Sequence, residues 1–374
     1  MKTPIRVLSV IGTRPEAVKM APVVQCLAHT PGIQALTCVT AQHREMLDQV
    51  LNLFDIKPDV DLDLMRPNQS LAQITASIIT HLDPVLKDLK PDWILAQGDT
   101  TTVMVTALLA YYNQIKFGHV EAGLRTGDKY QPFPEELNRR IAGVSADLHF
   151  APTEWSKQNL LKENIPAEQI LVTGNPVIDA LKQVANKPTP PEITDLLKKV
   201  GQSRLILVTA HRRENFGQPL ENICAALKAL SDRYGEGLHI VYPVHLNPNV
   251  QNVVRTHLEN YSTRISLLPP LDYLPMVQLM KHASLVLTDS GGLQEEAPGL
   301  GIPVLVMRAT TERPEGIAAG TVKLVGTETD SIVTHACQLL DNPLEYQKMA
   351  HAVNPYGDGH ASEKIVKALL ETQP

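Results

Sequence analysis

Aromatic residues are scarce, at 4% of the 374 positions. Proteins that stack the bases of single-stranded nucleic acid need more of them. Positive charge is not in excess: 34 Lys and Arg stand against 40 Asp and Glu, a net charge of −6. A broad nucleic-acid surface is therefore excluded, and any phosphate binding must be local. No run of about 18 apolar residues is available to cross a membrane. The N-terminus, Met1 to Ile11, enters an apolar strand pattern directly, without the segments of a secretion signal. A cytoplasmic protein is expected. The four cysteines, Cys26, Cys38, Cys224 and Cys337, are scattered and form no CxxC pair. They read as small buried residues in a reducing compartment. GxxxxGK[ST], GxGxxG and HExxH are all missing, which argues against a P-loop, a nicotinamide site and a zinc protease. Neither cofactor nor metal is expected.

What is present is a long alternation of short apolar runs and amphipathic segments. Strands are predicted at 6–11, 36–40, 93–96, 117–120, 148–151 and 170–172. A Pro-rich stretch, Lys187 to Glu192, then interrupts the alternation. It resumes with strands at 205–209, 239–242, 265–268, 285–287, 304–306 and 321–324, and ends in a helix over 361–370. This is the pattern of parallel sheets covered by helices. At roughly 150 residues per domain the length suggests two domains. The fold class is α/β, with two doubly wound domains and a junction between about 170 and 200.

Ligands of doubly wound sheets sit where strands hand over to helices, and these loops are rich in polar groups. Ser284 to Pro303 is the most telling stretch. An apolar strand breaks at Asp289-Ser-Gly-Gly292 and leads into a helix. Such a turn offers free N–H groups and the positive end of a helix dipole to an anion. Ser290 adds a hydroxyl, Gly291 and Gly292 allow close approach, and Glu296 can accept two hydrogen bonds from vicinal hydroxyls, as on a ribose. A nucleoside diphosphate fits; a plain strand–turn–helix, with glycines that only shape the bend, is the alternative. In Gly12-Thr-Arg-Pro-Glu16, Arg14 and Lys19 can meet a diphosphate, or serve only as capping and surface charge. Asp99, Glu121 and Glu135 come from three strand-end loops. Asp99 could simply cap a helix, and Glu135 and Glu136 could answer a helix dipole. Facing one cleft, the three would repel one another, raise at least one pKa and supply an acid and a base. His211, after another strand, suits phosphate contact or proton transfer.

Taken together and in order, these loops resemble a family. The segments are Gly-Thr-Arg-Pro-Glu-Ala (12–17), Thr-Ala-Gln-His-Arg-Glu-Met-Leu-Asp (40–48), Gly-Asp-Thr-Thr (98–101), His-Val-Glu-Ala-Gly-Leu-Arg-Thr (119–126), Pro-Glu-Glu-x-Asn-Arg (134–139), His-Arg-Arg-Glu-Asn (211–215), Asp-Ser-Gly-Gly-x-Gln-Glu-Glu (289–296) and Arg-x-Thr-Thr-Glu-Arg-Pro-Glu (308–315). Across essentially the whole chain they resemble the non-hydrolysing bacterial UDP-N-acetylglucosamine 2-epimerases. The resemblance implies two Rossmann-like domains around a central cleft (a GT-B-like fold). The first would cover 1–171 and a returning helix at 357–374, the second 172–356. It implies interconversion of UDP-GlcNAc and UDP-ManNAc, no redox cofactor, and a homodimer. By the same resemblance Asp99, Glu121, Glu135 and His211 are catalytic. Arg14, Lys19, Arg139, Met276, Ser290, Gly291, Gly292, Glu296 and Arg313 bind substrate. Gln42, His43, Gln69, Glu136, Arg212 and His245 hold a second, activating UDP-GlcNAc, a set that hydrolysing relatives lack. The chain departs from the family near the uracil, with Leu271 and Met276 where Gln and Phe are usual. The rival functions are a GT-B glycosyltransferase, a hydrolysing epimerase, and a silent UDP-sugar sensor, which would need none of the three carboxylates.

Overall fold

The computed structural model describes residues 3–40, 44–64, 66 and 68–372. The chain divides into two compact units. The first takes the residues up to Ala180 and those from Tyr356 onward; the second takes Leu181–Pro355.

The first unit carries β1 (Ile5–Ile11), β2 (Ile33–Val39), β3 (Val60–Asp61), β4 (Trp93–Gln97), β5 (Lys116–Val120), β6 (Leu148–Ala151) and β7 (Ile170–Val172). All pair in parallel, in the order β3-β2-β1-β4-β5-β6-β7. The second carries β8 (Arg204–Thr209), β9 (Leu238–Pro243), β10 (Ile265–Leu268), β11 (Leu285–Thr288), β12 (Val304–Val306) and β13 (Val322–Leu324). These are also parallel, in the order β10-β9-β8-β11-β12-β13. Their continuous apolar runs suit strands buried on both faces: every residue of β4 and of β11 is buried. Leu8, Val10, Leu82, Ile94 and Phe117 lie in the core of the first unit, and Ile206, Leu227, Tyr242 and Leu287 in that of the second.

The strand order reverses beside β1 in the first sheet and beside β8 in the second. At such a switch point the loops after neighbouring strands part and leave a crevice at the carboxyl edge. The loops after β1 and β4, and those after β8 and β11, hold that position, and they are the loops singled out by composition.

The boundary after Ala180 lies within the junction of about 170–200 that the pattern suggests, and two features differ from expectation: the bounds implied by the resemblance and one short strand. The first unit extends to Ala180, past residue 171, and resumes at Tyr356. The reason lies in the helix Pro176–Ala185. Asp179 there accepts from the N–H groups of Ala361 and Ser362 at 3.2 and 2.8 Å, and so caps the C-terminal helix Ala361–Glu371. Asn175 N–H donates to the Tyr356 carbonyl at 2.7 Å. The start of the linking helix is thus bound to the first unit. The second difference is β3, two residues paired with Cys38 and Val39, too short to show a period of its own.

Candidate active site

In the first unit the loop after β5 is the most constrained. Glu121 sits at φ +62°, a left-handed conformation that costs a non-glycine residue about 1–2 kcal/mol. Its carboxylate is buried and held from three sides. Oε1 accepts from Lys19 Nζ at 2.6 Å and from Asn175 Nδ2 at 2.7 Å, and Oε2 accepts from the Gln97 amide. Gly123 follows at φ +91°, where a Cβ would stand 2.3 Å from the Ser156 carbonyl oxygen. Only glycine fits there, so the turn that carries Glu121 is fixed by sterics.

Asp99 follows β4 and pairs with Arg139 through its Oδ2, while its backbone carbonyl accepts from Asn138 Nδ2 at 2.9 Å. It does not cap the helix Thr101–Tyr112. Thr100 does, with its hydroxyl accepting from Val103 N–H at 3.3 Å, so the carboxylate of Asp99 has no helix-capping duty. His119 Nε2 donates to the Gly98 carbonyl at 2.7 Å and ties the same turn to β5. Burial pushes this imidazole down to about 4, so it is neutral.

Glu135 opens the helix Glu135–Ser145, and its buried Oε2 has no hydrogen-bond partner among the described residues. Its neighbour Glu136 is fully buried and accepts from the N–H groups of Thr126 and Gly127 and from Arg140. That carboxylate fastens the 126–127 turn. Arg14 and Lys19 lie half-buried on the helix Arg14–Ala28, Lys19 directed at Glu121. Gln69 accepts from Arg66 N–H at 2.9 Å. Gln42 and His43 lie outside the described residues.

In the second unit Asp289, at the end of β11, organises the switch point. Its fully buried Oδ2 accepts from the backbone N–H groups of His211 and Arg212, both at 2.7 Å, and from Asn215 Nδ2 at 3.0 Å. The loop after β8 is thereby stapled to the loop after β11. His211 stacks on His245 with ring centres 5.4 Å apart. Burial lowers the His211 pKa, His245 and Arg212 lower it further, and Asp289 opposes them. A neutral imidazole results, able to give one proton and take another.

Gly291 begins the helix Gly291–Gly299. A Cβ there would lie 3.7 Å from Arg212 Nη2 and 3.8 Å from Arg313 Nη2. Two guanidinium groups thus converge on one helix N-terminus, an anion seat that combines dipole, N–H groups and fixed charge. Arg212, expected at a second site, reaches this seat as well. Arg313 is steadied through its Nε by Glu295. Ser290 does not cap the helix with its side chain. Glu296 lies further along the helix, and its Oε1 accepts from Tyr273 OH at 2.7 Å. Burial, with the Glu296 charge, pushes the Tyr273 phenol well up. Met276 and Leu271 are half-buried, Met276 on the helix Tyr273–His282 that also carries Tyr273.

Gln97, Asn175, Tyr273 and Asp289 escape the sequence reading as site residues, although Asp289 lies in a loop it singled out. They act on the expected side chains and carry little chemistry of their own. Among the described residues no three His, Cys, Asp or Glu side chains could hold a metal ion. None of the described helices is long and apolar enough to cross a membrane.

Residues 25–370 match the family model described as UDP-N-acetylglucosamine 2-epimerase. The UDP-N-acetylglucosamine 2-epimerase of Salmonella typhimurium is 55% identical over 374 residues, with 98% of each chain covered. That of Bacillus subtilis is 53% identical over 366 residues, covering 98% of this chain and 95% of its own. The solved UDP-GlcNAc 2-epimerase of Neisseria meningitidis, bound to UDP-GlcNAc, superposes with a TM-score of 0.87 at 51% identity, covering 98% of this chain and all of the other. Carboxylates at the strand ends of one unit, an arginine-rimmed helix N-terminus in the other and similarity over nearly the full length agree, and the chain belongs to the UDP-N-acetylglucosamine 2-epimerase family.

Proposed function

We propose that the protein interconverts UDP-GlcNAc and UDP-ManNAc at carbon 2 of the sugar, without hydrolysis. The observation that carries this reading is the anion seat at Gly291 with Glu296 on the same helix. The seat suits a diphosphate, and the carboxylate suits a ribose.

The proton on carbon 2 is not beside a carbonyl, so its direct removal would be slow. Departure of UDP solves this. The bond from carbon 1 to oxygen breaks with its electron pair going to UDP, and positive charge develops at carbon 1. The proton on carbon 2 then leaves to a carboxylate and the carbon 1–carbon 2 double bond forms, giving 2-acetamidoglucal. Return of a proton to the opposite face, with UDP oxygen closing on carbon 1, yields the epimer. No net oxidation occurs, so no redox cofactor is needed. Arg14, Arg313 and the Ser290-Gly-Gly turn stabilise the departing diphosphate, where fixed donors act most strongly. His211 donates to it. Asp99, Glu121 and Glu135 stabilise the cation and move the protons. Lys19, a substrate ligand by the resemblance, here holds Glu121.

Proton NMR with UDP-GlcNAc in heavy water tests this. UDP-ManNAc should appear, with deuterium at carbon 2 of both nucleotide sugars. Free UDP with ManNAc would replace the reading by a hydrolysing one, and no exchange with intact UDP binding by a transferase or a sensor.

The stack of His245 on His211 also favours activation by a second UDP-GlcNAc, held by Arg212 and His245 with Gln69, while the buried Glu136 supports the 126–127 turn. A ligand on His245 then orders the catalytic imidazole. The forward rate should be sigmoidal in UDP-GlcNAc and become hyperbolic in His245→Ala; a hyperbolic wild-type curve down to low substrate would remove this activation.

A further inference from the structure

The carboxyl group buried most deeply at the switch point of the first sheet is one that the mechanism above does not use. Glu16 is the third residue of the helix Arg14–Ala28 and is 2% exposed. Its Oε1 accepts from Thr100 Oγ1 at 2.9 Å. The same hydroxyl caps the helix Thr101–Tyr112. Thr100 is bonded in sequence to Asp99, whose carboxylate meets Arg139. Glu16 is therefore the far end of a chain running through Thr100 and Asp99 to Arg139. Its Oε2 is buried without a hydrogen-bond partner among the described residues. That oxygen stands 3.1 Å from where a Cβ on Gly12 would be, and Thr102 Oγ1 would be 2.4 Å from the same point. The glycine lets the carboxyl group enter this water-excluded place.

We propose that Glu16 is a positioning residue for Asp99, clamping the Asp99–Thr100 turn through the Thr100 hydroxyl. This rests on the epimerase reading insofar as Asp99 acts on substrate. An ionised carboxylate with one oxygen unpartnered and out of water is more costly than the neutral acid. Burial accordingly pushes Glu16 up to about 7, with the charge of Asp99 adding to it and hydrogen bonds from Thr13 and Thr100 opposing. The other charged groups at this edge are Glu121, paired with Lys19, Arg139 on Asp99, and Arg14 on the helix of Glu16 itself. The clamp works in its neutral form below about pH 7. As pH rises through about 7, a second negative charge appears beside Asp99 and turnover falls.

Two variants separate clamp from charge. Glu16→Gln keeps an oxygen for Thr100 and never ionises. It should turn over within about threefold of wild type at pH 6 and lose the fall above pH 7. Glu16→Ala removes the clamp and should lower kcat by about 100-fold, the scale of a small misplacement of a catalytic group, with KM little changed. Equal kcat in wild type and Glu16→Ala, or equal losses in both variants at pH 6, would overturn the proposal. A readout independent of turnover is the infrared titration of Asp99, taken as the wild-type spectrum minus that of Asp99→Asn in each Glu16 background. Its midpoint should move in Glu16→Ala and stay in Glu16→Gln; an unmoved midpoint in Glu16→Ala would overturn the clamp even if the chain proved not to epimerise. Absence of epimerisation in wild type with the midpoint moved as expected would fault the epimerase reading alone.

Discussion

Glu121→Gln should lower epimerisation by about 10²–10⁴-fold, the usual worth of a positioned proton-transfer group, while UDP affinity changes by less than about threefold. The geometry explains why the loss falls on chemistry. The Glu121 carboxylate takes three donors, from Lys19 and Asn175 on one oxygen and Gln97 on the other. An amide of the same shape keeps one acceptor oxygen and turns its NH2 toward donors on the other side. The side chain stays in place at a local cost of about 1–3 kcal/mol, since one donor group loses its acceptor. It no longer carries charge or accepts a proton. The anion seat that would hold UDP belongs to the second unit, around Gly291, whereas Glu121 belongs to the first. Product formation followed by NMR and UDP titration by calorimetry separate the two effects. Turnover like that of wild type would remove Glu121 from the mechanism. Parallel loss of turnover and UDP binding with a lowered melting point would make its role structural.

The sheets were legible in the sequence because most strands are short, mainly apolar runs bounded by polar loops. Ile5–Ile11 and Arg204–Thr209 need no partner to be recognised, whereas Val60–Asp61 exists only as a partner of β2. The polar contents of the loops were equally plain, since charged residues that follow buried strands stand out. What could not be read is how those residues are held. Gln97 reaches Glu121 because β4 and β5 pair with Gln97 beside Val120, a register no local pattern encodes. Asn175 arrives from 54 positions away. Nothing in the sequence around Glu16 marks it as buried, and only the packing of Thr100 against it shows a buried carboxyl group. By residue type Asp99 could equally have capped the helix, and the cap falls to Thr100 one position later.

Asp289→Ala should destabilise the second unit by about 3–5 kcal/mol and abolish measurable epimerisation. One buried oxygen of Asp289 accepts three hydrogen bonds, from the His211 and Arg212 backbones and from Asn215. Bonds to an ionised acceptor are about twice as strong as neutral ones, and each buried donor left unpaired costs roughly 1–3 kcal/mol. Partial relaxation and entry of water bring the sum to the lower part of that range. Asn215 keeps a second acceptor in the Met307 carbonyl at 3.2 Å, so the loss concentrates on residues 211 and 212. Those residues carry the His211 imidazole and one of the two guanidinium groups over Gly291. With their tether to β11 gone, imidazole and guanidinium lose their fixed positions together, and the stability and activity losses share one cause. Asp289→Asn keeps one acceptor oxygen and should cost only about 1–2 kcal/mol. Calorimetry of both variants reads this directly, with the transition of the second unit falling by about 10 °C in Asp289→Ala. An unchanged transition, or full activity despite a lowered one, would show that the loop after β8 holds its shape without Asp289.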